Sequence, residues 1–275
     1  MAKISSMSSS RPHITSPPLD GRVCVLTGGR GFLGQIFSRA LLAAGAKVAI
    51  LDVAPVVTEP MTDMLQLSAD ITDEISLRSA QDKILEQWGQ INVLINNAAL
   101  NPNMDGTDTA LDRLENFPLE RWNLEVGVGL TGSFLCGKVF GSWMAENKGG
   151  VIVNIASDLS VLAPDQRIYL KPKTSPNQQP VKPVTYSAVK TGLIGLTRYF
   201  ATYWAEQNIR ANALSPGGVF NEQPAELVKN ISERTPLGRM ALPNEFGDAL
   251  VFLCSDQSSY MTGQNMVIDG GRSIW

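Results

Sequence analysis

The chain has one histidine, three cysteines and no uninterrupted apolar run approaching the roughly 20 residues that span a bilayer. The single histidine, His13, lies in a polar leader, which argues against a Ser-His-Asp triad in the folded domain. The cysteines lie far apart without CxxC spacing, so we expect reduced, buried thiols and no bound metal. The net charge of −3 disfavours nucleic acid and anionic membranes as partners.

Residues 1–18 are polar and lack the apolar core of a secretory signal. We expect this segment to be a disordered leader. Residues 19–275 are expected to form one domain, because a chain of this length with 44% hydrophobic residues can bury a single sizeable core. Without a secretory signal, a cytoplasmic location is predicted.

After the leader, short β-branched apolar runs alternate with longer segments of helical periodicity. This alternation predicts a doubly wound α/β domain with a seven-stranded parallel sheet. The predicted strands are Val23–Thr27, Lys47–Asp52, Leu65–Ser68, Val93–Asn96, Val151–Ala156, Arg210–Leu214 and Asn265–Ile268. The predicted helices are Leu33–Ala44, Asp73–Trp88, Leu119–Asn147, Tyr186–Gln207 and Pro243–Ser255.

Two segments interrupt this alternation. Residues 100–118 and 158–185 are polar, contain prolines and show no clear periodicity, which predicts loops. A loop as long as 158–185 inside a compact domain is usually functional or disordered, and we interpret it as a candidate substrate lid. A surface insertion without function is the alternative.

A glycine-rich turn follows the first predicted strand and opens a periodic helix; it reads Thr27-Gly28-Gly29-Arg30-Gly31-Phe32-Leu33-Gly34. In this context the turn indicates the dinucleotide site of a Rossmann-type domain, because glycine lets the backbone approach a pyrophosphate at the positive end of a helix. A tight connection without a ligand is the alternative. The expected cofactor contacts are Gly28, Arg30, Gly31, Phe32, Leu33 and Gly34.

Asp52 ends the second predicted strand, about 20 residues beyond the glycine turn. A carboxylate there can accept hydrogen bonds from both hydroxyls of an adenosine ribose, whereas a 2′-phosphate would meet like charge. This favours NAD over NADP, although Arg30 in the turn can partly offset the repulsion.

Further motifs follow in chain order: Ala69-Asp70-Ile71, Asn96-Asn97-Ala98-Ala99, Ser157, Tyr186-Ser187-Ala188-Val189-Lys190 and Asn212-Ala213-Leu214-Ser215-Pro216-Gly217-Gly218. Together with the glycine turn, they resemble the motifs of the short-chain dehydrogenase/reductase family, in its single-domain branch, from Leu19 to the C-terminus. Beyond the turn and Asp52, the resemblance implies cofactor contacts from Asp70, Ile71, Asn97, Ala98, Tyr186, Lys190, Pro216, Gly217 and Val219.

Tyr186 and Lys190 are one helical turn apart, on the same face of a predicted helix. A tyrosine, with a reference pKa of about 10, needs a neighbouring cation to exchange a proton efficiently at neutral pH. The resemblance implies that Tyr186 is the acid/base and that Lys190 tunes it and contacts the nicotinamide ribose. Ser157 would then polarise the substrate oxygen during hydride transfer.

A second Tyr-x-x-x-Lys pair, Tyr169 and Lys173, lies nearer to the family's usual distance from Ser157. Pro172 lies inside this pair and would disrupt a helix, and no helical periodicity follows it. Tyr186 instead opens a long periodic stretch, so we assign Tyr186 as the acid/base.

Two positions depart from the family pattern. Phe32 stands where a glycine is common, and Gly129 stands where many members have a catalytic asparagine. Three alternatives follow for the water-mediated proton relay attributed to that asparagine: backbone groups and water replace it, turnover is slow, or the protein does not catalyse.

The segment 161–164, the loop through Tyr169 and the segment 215–224 resemble a subgroup associated with bacterial surface-carbohydrate and flagellin-glycan synthesis. This resemblance implies a sugar or sugar phosphate as the substrate. Basic side chains of the 158–185 loop can pair with a phosphate or can simply be solvated; they are Arg167, Lys171, Lys173 and Lys182.

The family also implies a homodimer or homotetramer, with the helix after Tyr186 at one interface. Tyr199, Tyr203 and Trp204 are candidate aromatic anchors, although core packing would explain them equally.

These patterns predict an NAD-dependent oxidoreductase that transfers a hydride between nicotinamide and a hydroxyl/carbonyl group of a small, carbohydrate-derived substrate. One alternative is an NADPH-dependent 3-oxoacyl thioester reductase, which Asp52 and the net charge of −3 disfavour. Another is a catalytically weak nucleotide-binding sensor or scaffold. Gly129 favours that reading, whereas the presence of Ser157, Tyr186 and Lys190 opposes it.

Overall fold

The computed structural model describes residues 16–55, 62–100 and 109–274. Its strands are β1 (Val23–Thr27), β2 (Lys47–Asp52), β3 (Met64–Ser68), β4 (Val93–Asn96), β5 (Gly150–Ile155), β6 (Ile209–Pro216) and β7 (Asn265–Ile268). They form one sheet in the order β3-β2-β1-β4-β5-β6-β7, and every neighbouring pair is parallel. The predicted seven-stranded parallel sheet is confirmed, and each strand lies within two residues of its predicted ends.

The helices in the described residues are α1 (Phe32–Ala43), α2 (Glu74–Trp88), α3 (Thr109–Asp112), α4 (Leu119–Val126), α5 (Gly132–Cys136), α6 (Ser142–Glu146), α7 (Val184–Tyr203), α8 (Ala225–Ser232) and α9 (Gly247–Cys254). α7 begins two residues before the predicted start and ends at Tyr203 rather than Gln207. The predicted helix Pro243–Ser255 is a 3₁₀ turn over Pro243–Phe246 followed by α9. Sequence periodicity does not predict α3 or α8, because each is too short for a repeating pattern.

Helices cover both faces of the sheet. Phe37 and Leu41 of α1 pack with Leu250 of α9 against one face. Phe140 of the helical region before β5 and Phe200 of α7 pack against the other face. This doubly wound arrangement places the carboxyl ends of the strands along a single edge, where α/β domains bind ligands.

The structure also bears on the expected leader, the expected reduced cysteines and the expected absence of membrane-spanning segments. Residues 1–15 of the predicted leader lie outside the described residues, and Leu19 is fully buried in the core. Cys24, Cys136 and Cys254 are buried and free, as expected. No helix in the described part of the chain is long and apolar enough to cross a membrane.

The predicted helix Leu119–Asn147 is continuous but changes its winding twice. It consists of α4, a π-helical turn over Gly127–Thr131, α5, a π-helical turn over Gly137–Gly141, and α6. We call it the segmented helix. Two of its glycines lie very close to α7: a Cβ on Gly129 would be 2.5 Å from Cγ1 of Val189, and one on Gly137 would be 2.3 Å from Cζ of Phe200. The absence of side chains at these positions lets the two helices approach.

The 158–185 segment is more ordered than the predicted loop. It contains three 3₁₀ turns, over Asp158–Ser160, Gln166–Tyr169 and Pro176–Gln178. Ile168 is 2% exposed and packs against Ile231 of α8. The Nδ2 atom of Asn230 donates to the carbonyl of Ile168 at 3.1 Å, and Arg234 forms an ion pair with Asp165 at 2.8 Å. The segment and α8 therefore stabilise each other.

The predicted loop 100–118 also differs from expectation. It contains α3 and a 3₁₀ turn over Leu114–Asn116, while residues 101–108 lie outside the described residues. Arg113 connects this region to the 158–185 segment through a hydrogen bond from Nη1 to the carbonyl of Pro176 at 3.2 Å.

Candidate active site

The ends of five strands define the candidate site. Thr27, Asp52, Asn96, Ile155 and Pro216 are the last residues of β1, β2, β4, β5 and β6. Because these strands are parallel, the predicted site residues at or just beyond their ends share one edge of the sheet. The chain order reverses between β1 and β4, which is the position where doubly wound sheets bind nucleotides.

Close backbone contacts shape the glycine turn. Gly28 has a φ of +62°, and a Cβ on it would lie 2.7 Å from Cα of Ala98. A Cβ on Gly34 would lie 2.2 Å from the carbonyl oxygen of Gly28. Gly31 caps α1 without a side-chain acceptor, and Phe32 at the start of α1 is 39% exposed. The first N–H groups of α1 thus remain available to an anion, so the turn fits a pyrophosphate.

The carboxylate of Asp52 is held beside this turn. It accepts hydrogen bonds from the backbone N–H of Arg30 at 3.0 Å and of Ala54 at 3.2 Å. The guanidinium of Arg30 also lies near the end of β2: Nε donates to Gln66 at 3.3 Å, Nη1 donates to the carbonyl of Ala54, and Nη2 is buried without a hydrogen-bond partner in the described residues. A ribose between the turn and β2 would therefore meet the carboxylate of Asp52.

Asn97 organises the turn from the neighbouring strand. Its Nδ2 donates to the carbonyls of Thr27 at 2.9 Å and Gly28 at 3.0 Å. The hydroxyl of Thr27 accepts from the backbone N–H groups of Asn97 and Ala98, both at 3.0 Å. The side chain of Asn97 is thus occupied in positioning the backbone of the turn.

Three other predicted cofactor-binding residues, Leu33, Asp70 and Ile71, differ in which of their atoms a cofactor can contact. The exposed Asp70 accepts hydrogen bonds from the N–H of Thr72 at 2.8 Å and its hydroxyl at 2.7 Å. Ile71 is 5% exposed, and the side chain of Leu33 also packs against a core cluster. Leu33 and Ile71 can therefore offer a cofactor mainly their backbone.

Ser157, Tyr186 and Lys190 meet beyond the end of β5. The Nζ atom of Lys190 donates to the carbonyl of Ile155 at 2.8 Å and lies 5.8 Å from the centroid of the Tyr186 ring. Ser157 acts to lower the pKa of Tyr186, while the Ser157 hydroxyl donates to Oδ1 of Asp158 at 2.9 Å. The competing pair has no such geometry, because the 3₁₀ turn that contains Tyr169 ends there.

Burial dominates the ionisation of these groups. It raises the pKa of Tyr186 above its ordinary value, against the effect of Ser157. It lowers the pKa of Lys190 to about 8, and repulsion from Lys182 acts in the same direction. With a pKa of about 8, Lys190 is mostly protonated at neutral pH and keeps a cation near Tyr186.

Lys182 lies over the same tyrosine. Its Nζ atom is 3.7 Å from the centroid of the Tyr186 ring, nearer than that of Lys190. Burial lowers the pKa of Lys182 to about 8, while nearby carboxylates oppose this shift. The other basic residues of the 158–185 segment are exposed. Of the four candidates for binding a phosphate, Lys182 is thus the one that reaches Tyr186.

The loop after β6 lies beside these groups. The N–H of Gly217 donates to the carbonyl of Ile268 at 2.8 Å, and a Cβ on Gly217 would lie 2.7 Å from Cα of Asp269. The hydroxyls of Ser215 and Ser160 are 3.1 Å apart, which links β6 to the turn that follows Ser157. Pro216 is buried, and Val219 pairs with Ala241 in an isolated bridge.

A small cavity lies where Gly129 faces Tyr186 and Lys190. Its volume is ≈ 10 Å³, about the space that the centre of one water molecule needs. Glu125, which is 7% exposed, also lines the cavity. Glu125 accepts hydrogen bonds from Arg121 at 2.7 Å and from Thr185. Its position one turn before Gly129 is the only sequence signal that could have identified it.

Motif analysis also misses Asp158 and Arg272. These residues form a buried ion pair beside Ser157, with Nη1 of Arg272 2.9 Å from Oδ2 of Asp158. They are 114 positions apart in the chain, so no local spacing links them.

Comparison with known proteins gives consistent similarities. A family profile described as enoyl-(acyl carrier protein) reductase, adh_short_C2, matches residues 32–273. A D-threitol dehydrogenase from Mycolicibacterium smegmatis is 29% identical over 93% of this chain and 94% of its own length. An NAD-dependent glycerol dehydrogenase from Listeria innocua is 30% identical over 92% and 94%. A 3-oxoacyl-(acyl-carrier-protein) reductase from Thermotoga maritima is 30% identical over 93% and 99%.

Solved structures show the same architecture. A short-chain dehydrogenase from Leptospira borgpetersenii with bound NAD⁺ has a TM-score of 0.79 and 32% identity, and the match covers 100% of both chains. A gluconate 5-dehydrogenase from Burkholderia cenocepacia, in complex with NADP and tartrate, has a TM-score of 0.75 and 27% identity, covering 93% of this chain and 96% of the other. The similarity thus extends over essentially the whole domain.

Proposed function

This chain belongs to the short-chain dehydrogenase/reductase family, and on that premise we propose that it is an NAD-dependent oxidoreductase acting on a hydroxyl/carbonyl group of a small polyol- or sugar-derived substrate. The observation that carries the proposal is the meeting of Ser157, Tyr186 and Lys190 at the strand edge that also holds the glycine turn. A cofactor that binds at the turn can extend along this edge to the tyrosine.

In the proposed reaction, Tyr186, Lys190 and Ser157 have separate roles beside the cofactor. The nicotinamide ring, when bound, accepts or donates the hydride. Tyr186 exchanges a proton with the substrate oxygen. Lys190, held by the carbonyl of Ile155, keeps a cation near the tyrosine and favours its ionised form. Ser157 forms a hydrogen bond to the same substrate oxygen.

Asp52 supports NAD rather than NADP. Its carboxylate is fixed by two backbone N–H groups at the end of β2, where an adenosine ribose would lie. Gln66 and Ala54 engage Nε and Nη1 of Arg30, whereas Nη2 has no hydrogen-bond partner in the described residues and can partly offset the repulsion between Asp52 and a 2′-phosphate. The relative with bound NAD⁺ and the NAD-dependent glycerol dehydrogenase agree with this preference, whereas the gluconate dehydrogenase was solved with NADP.

The proposed substrate class rests on the relatives and on Lys182. Several relatives are dehydrogenases of polyols or sugar acids. Lys182 places a cation over the ring face of Tyr186, 3.7 Å from its centroid. A sugar acid or sugar phosphate would bring a complementary charge to this point, so we include anionic sugars in the class. A role in surface-carbohydrate or flagellin-glycan synthesis remains part of this proposal.

We also propose that the protein forms a homodimer or homotetramer through α7. Tyr199 and Tyr203 are 58% and 61% exposed, and their rings stack at 5.4 Å. Trp204, in contrast, is 8% exposed and belongs to the core, which removes it from the candidate anchors. Light scattering of wild type and of Tyr199→Ser/Tyr203→Ser would test this interface, and an unchanged mass would contradict it.

Absorbance at 340 nm tests the proposed activity. NAD or NADP would be supplied with D-threitol, glycerol, gluconate and sugar phosphates, and NADH or NADPH with 3-oxoacyl thioesters. We expect NAD-linked turnover of a polyol or sugar derivative that Tyr186→Phe abolishes. Turnover of no carbohydrate, together with tight NADH binding, would contradict the proposal and favour a nucleotide sensor.

The 3-oxoacyl thioester reductase is the second candidate, because the family profile and the Thermotoga maritima relative favour it. It predicts NADPH-linked reduction of 3-oxoacyl thioesters in the same assay. Asp52 and the net charge of −3 oppose it, since an acidic carrier protein would need a basic docking surface.

A further inference from the structure

Lys182 lies over the aromatic ring of Tyr186. Its Nζ atom is 3.7 Å from the ring centroid, whereas Nζ of Lys190 is 5.8 Å away. Lys190 is part of α7, as is the tyrosine, but Lys182 precedes that helix and belongs to the 158–185 segment. The candidate acid/base thus has one cation supplied by its own helix and a second supplied by the segment.

The backbone of Lys182 is fixed by Gln166. The Oε1 atom of Gln166 accepts from the N–H of Lys182 at 2.8 Å, and its Nε2 atom donates to the carbonyl of Lys182 at 3.2 Å. Gln166 begins the 3₁₀ turn whose Ile168 packs on α8. Pro183 follows Lys182 directly and is the N-cap of α7. Lys182 is therefore held between a packed turn and a helix, with its position over the ring set by the fold.

A cation in this position favours the ionised form of the tyrosine. The faces of an aromatic ring carry negative charge density, which attracts an ammonium group even when the phenol is neutral. In the phenolate a full negative charge is shared between the oxygen and the ring, so the attraction becomes stronger. Because a pKa depends on how differently a neighbour interacts with the two protonation states, Lys182 should lower the pKa of Tyr186.

The ionisation of Tyr186 needs such a cation, because burial raises the pKa of this tyrosine. Lys190 supplies one, but its Nζ atom is held by the carbonyl of Ile155 and is repelled by Lys182. A phenolate near both ammonium groups offsets this repulsion. Lys182, with a pKa of about 8, is mostly protonated at neutral pH.

Further titratable groups face the two side chains from other elements; they are Asp112 on α3, Glu125 on α4, Asp158 after β5 with its partner Arg272, and Tyr169 in the 3₁₀ turn. The three carboxylates favour the charged form of Lys182. Asp158 also opposes the ionisation of Tyr186, but Arg272 lies 2.9 Å from it. An ionised Tyr186 raises the pKa of Tyr169, so Tyr169 stays neutral. Lys182 therefore keeps its charge in the state from which Tyr186 has to ionise.

We propose that Lys182 is a second tuning cation for Tyr186, which acts through the face of the ring and adds to the effect of Lys190. This inference rests on the proposed role of Tyr186 as the acid/base. In the oxidative direction the phenolate of Tyr186 takes the proton of the substrate hydroxyl and becomes the neutral phenol. Lys182 increases the fraction of the enzyme that holds this phenolate at neutral pH. The role needs no charge on the substrate, which separates it from pairing of Lys182 with an anionic sugar.

The pH dependence of kcat/KM with an uncharged substrate tests the proposal. D-Threitol and glycerol are the probes, and the first that wild type oxidises is used throughout. kcat/KM should rise with pH to a plateau as Tyr186 ionises in the free enzyme. In Lys182→Met the midpoint of this rise should move upward by about 1 pH unit, which lowers kcat/KM about tenfold below the midpoint. Lys182→Arg keeps a cation over the ring and should retain the wild-type midpoint.

Lys173→Met is the matched control, because Lys173 is an exposed lysine of the same segment. It should leave the midpoint unchanged. Fluorescence titration with NADH checks that each variant keeps its fold, and Lys182→Gln replaces Lys182→Met if the latter does not fold. An unchanged midpoint without Lys182 would overturn the proposal. A loss confined to anionic substrates such as gluconate would also overturn it, since Lys182 would then act only on the substrate.

A second measurement does not depend on turnover. Ultraviolet difference absorbance follows tyrosine ionisation, and the difference between wild type and Tyr186→Phe isolates Tyr186 among the five tyrosines of the chain. The difference between Lys182→Met and Lys182→Met/Tyr186→Phe gives the same titration without the cation. We expect Tyr186 to titrate about 1 pH unit higher there. Equal titrations would overturn the inference. A shifted titration in a protein that turns over no substrate would support the inference and count against the proposed function.

Discussion

The two sides of the candidate site are held together differently. The cofactor side, formed by the glycine turn, Asp52 and Asn97, relies on backbone contacts and hydrogen bonds between neighbouring strand ends. The substrate side, formed by the 158–185 segment, α8 and the turn after β7, relies on side-chain bonds between distant parts of the chain. Asp158–Arg272 spans 114 positions and Asp165–Arg234 spans 69.

This difference separates two kinds of sensitivity. On the cofactor side an added methyl group meets backbone atoms that cannot move independently of the sheet. On the substrate side a changed side chain releases one contact and leaves the sheet intact. We therefore expect changes on the cofactor side to act on nucleotide affinity and changes on the substrate side to act on substrate KM.

The largest expected effect is at Tyr186, where the two sides meet. Tyr186→Phe removes the proposed acid/base and should lower kcat by about 10²–10⁴. NADH affinity, measured by fluorescence titration, should stay within about twofold because the hydroxyl is not part of the turn. Tyr203→Phe, an exposed tyrosine on the same helix, is the control. A large loss of NADH affinity in Tyr186→Phe would contradict this expectation and show that the Tyr186 hydroxyl contributes to cofactor binding as well.

Gly34→Ala acts on the cofactor side alone. The new Cβ would lie 2.2 Å from the carbonyl oxygen of Gly28. The resulting strain of about 1–3 kcal/mol should weaken NADH binding roughly tenfold to a hundredfold. Gly195→Ala is the matched control, because no atom lies within 4 Å of a Cβ there. Calorimetric titration with NADH would measure the loss, and equal affinities for the two variants would contradict the expectation.

Asp52→Asn tests how the cofactor side selects NAD over NADP. Removing the negative charge beside the ribose should raise kcat/KM with NADP relative to NAD by about tenfold. Asp63→Asn, an exposed carboxylate just before β3, should leave the ratio unchanged. If both variants kept the wild-type ratio, another part of the chain would have to select the cofactor.

The pH dependence of stability tests the lowered pKa of Lys190, which lies where the cofactor side and the substrate side meet. The pKa of Lys190 is about 8 in the folded protein, against an ordinary value of 10.5. Between these values the unfolded chain binds more protons, so the free energy of unfolding should rise with pH. From pH 8 to 9 this amounts to about 1 kcal/mol. Buried thiols act in the opposite direction from about pH 8 upward, since burial raises the pKa of Cys24 from its ordinary value of 9.0 to about 12, so the contribution of Lys190 is obtained from the difference between wild type and a Lys190 variant.

Urea unfolding at pH 8 and 9 would measure that increment in wild type and in Lys190→Met. The variant should lose part of the increase and retain the part due to Lys182, whose pKa is also lowered to about 8. Lys138→Met is the control on an exposed lysine. The same pH slope in wild type and Lys190→Met would show that Lys190 keeps its proton over this range.

Arg234→Met has the smallest expected effect and acts on the substrate side alone. It breaks the ion pair with Asp165, whose partly exposed geometry limits its contribution to about 1 kcal/mol or less. The 158–185 segment should loosen against α8 and raise substrate KM a few-fold, with unchanged NADH affinity. Arg239→Met removes a comparable pair, with Glu245, outside the segment. A weaker NADH affinity in Arg234→Met would show that the two sides are coupled.

The same division explains what could be predicted from the sequence. The strands and the glycine turn follow from local patterns, because apolar periodicity and glycine conformations depend on nearby residues. Asp158 and Arg272 could not be found in this way, since their pairing requires the completed sheet. α8 is recognisable only with its partner, because Ile231 and neighbouring apolar residues pack on Ile168.

The segmented helix was predicted as one helix, and its two π-helical turns have no periodic signal. Lys182 lay among four equivalent basic residues in the sequence. Its selection depends on how the 158–185 segment folds back over Tyr186.

The close approach of Gly129 to Val189 links two positions that motif comparison treats separately. Any side chain at 129 would press on the residue beside Lys190 and push the lysine-bearing face of α7 outward. An asparagine at 129 would therefore have to be accompanied by a smaller residue at 189. We therefore expect the two positions to be epistatic, with an asparagine at 129 better tolerated once Val189 is replaced by a smaller residue.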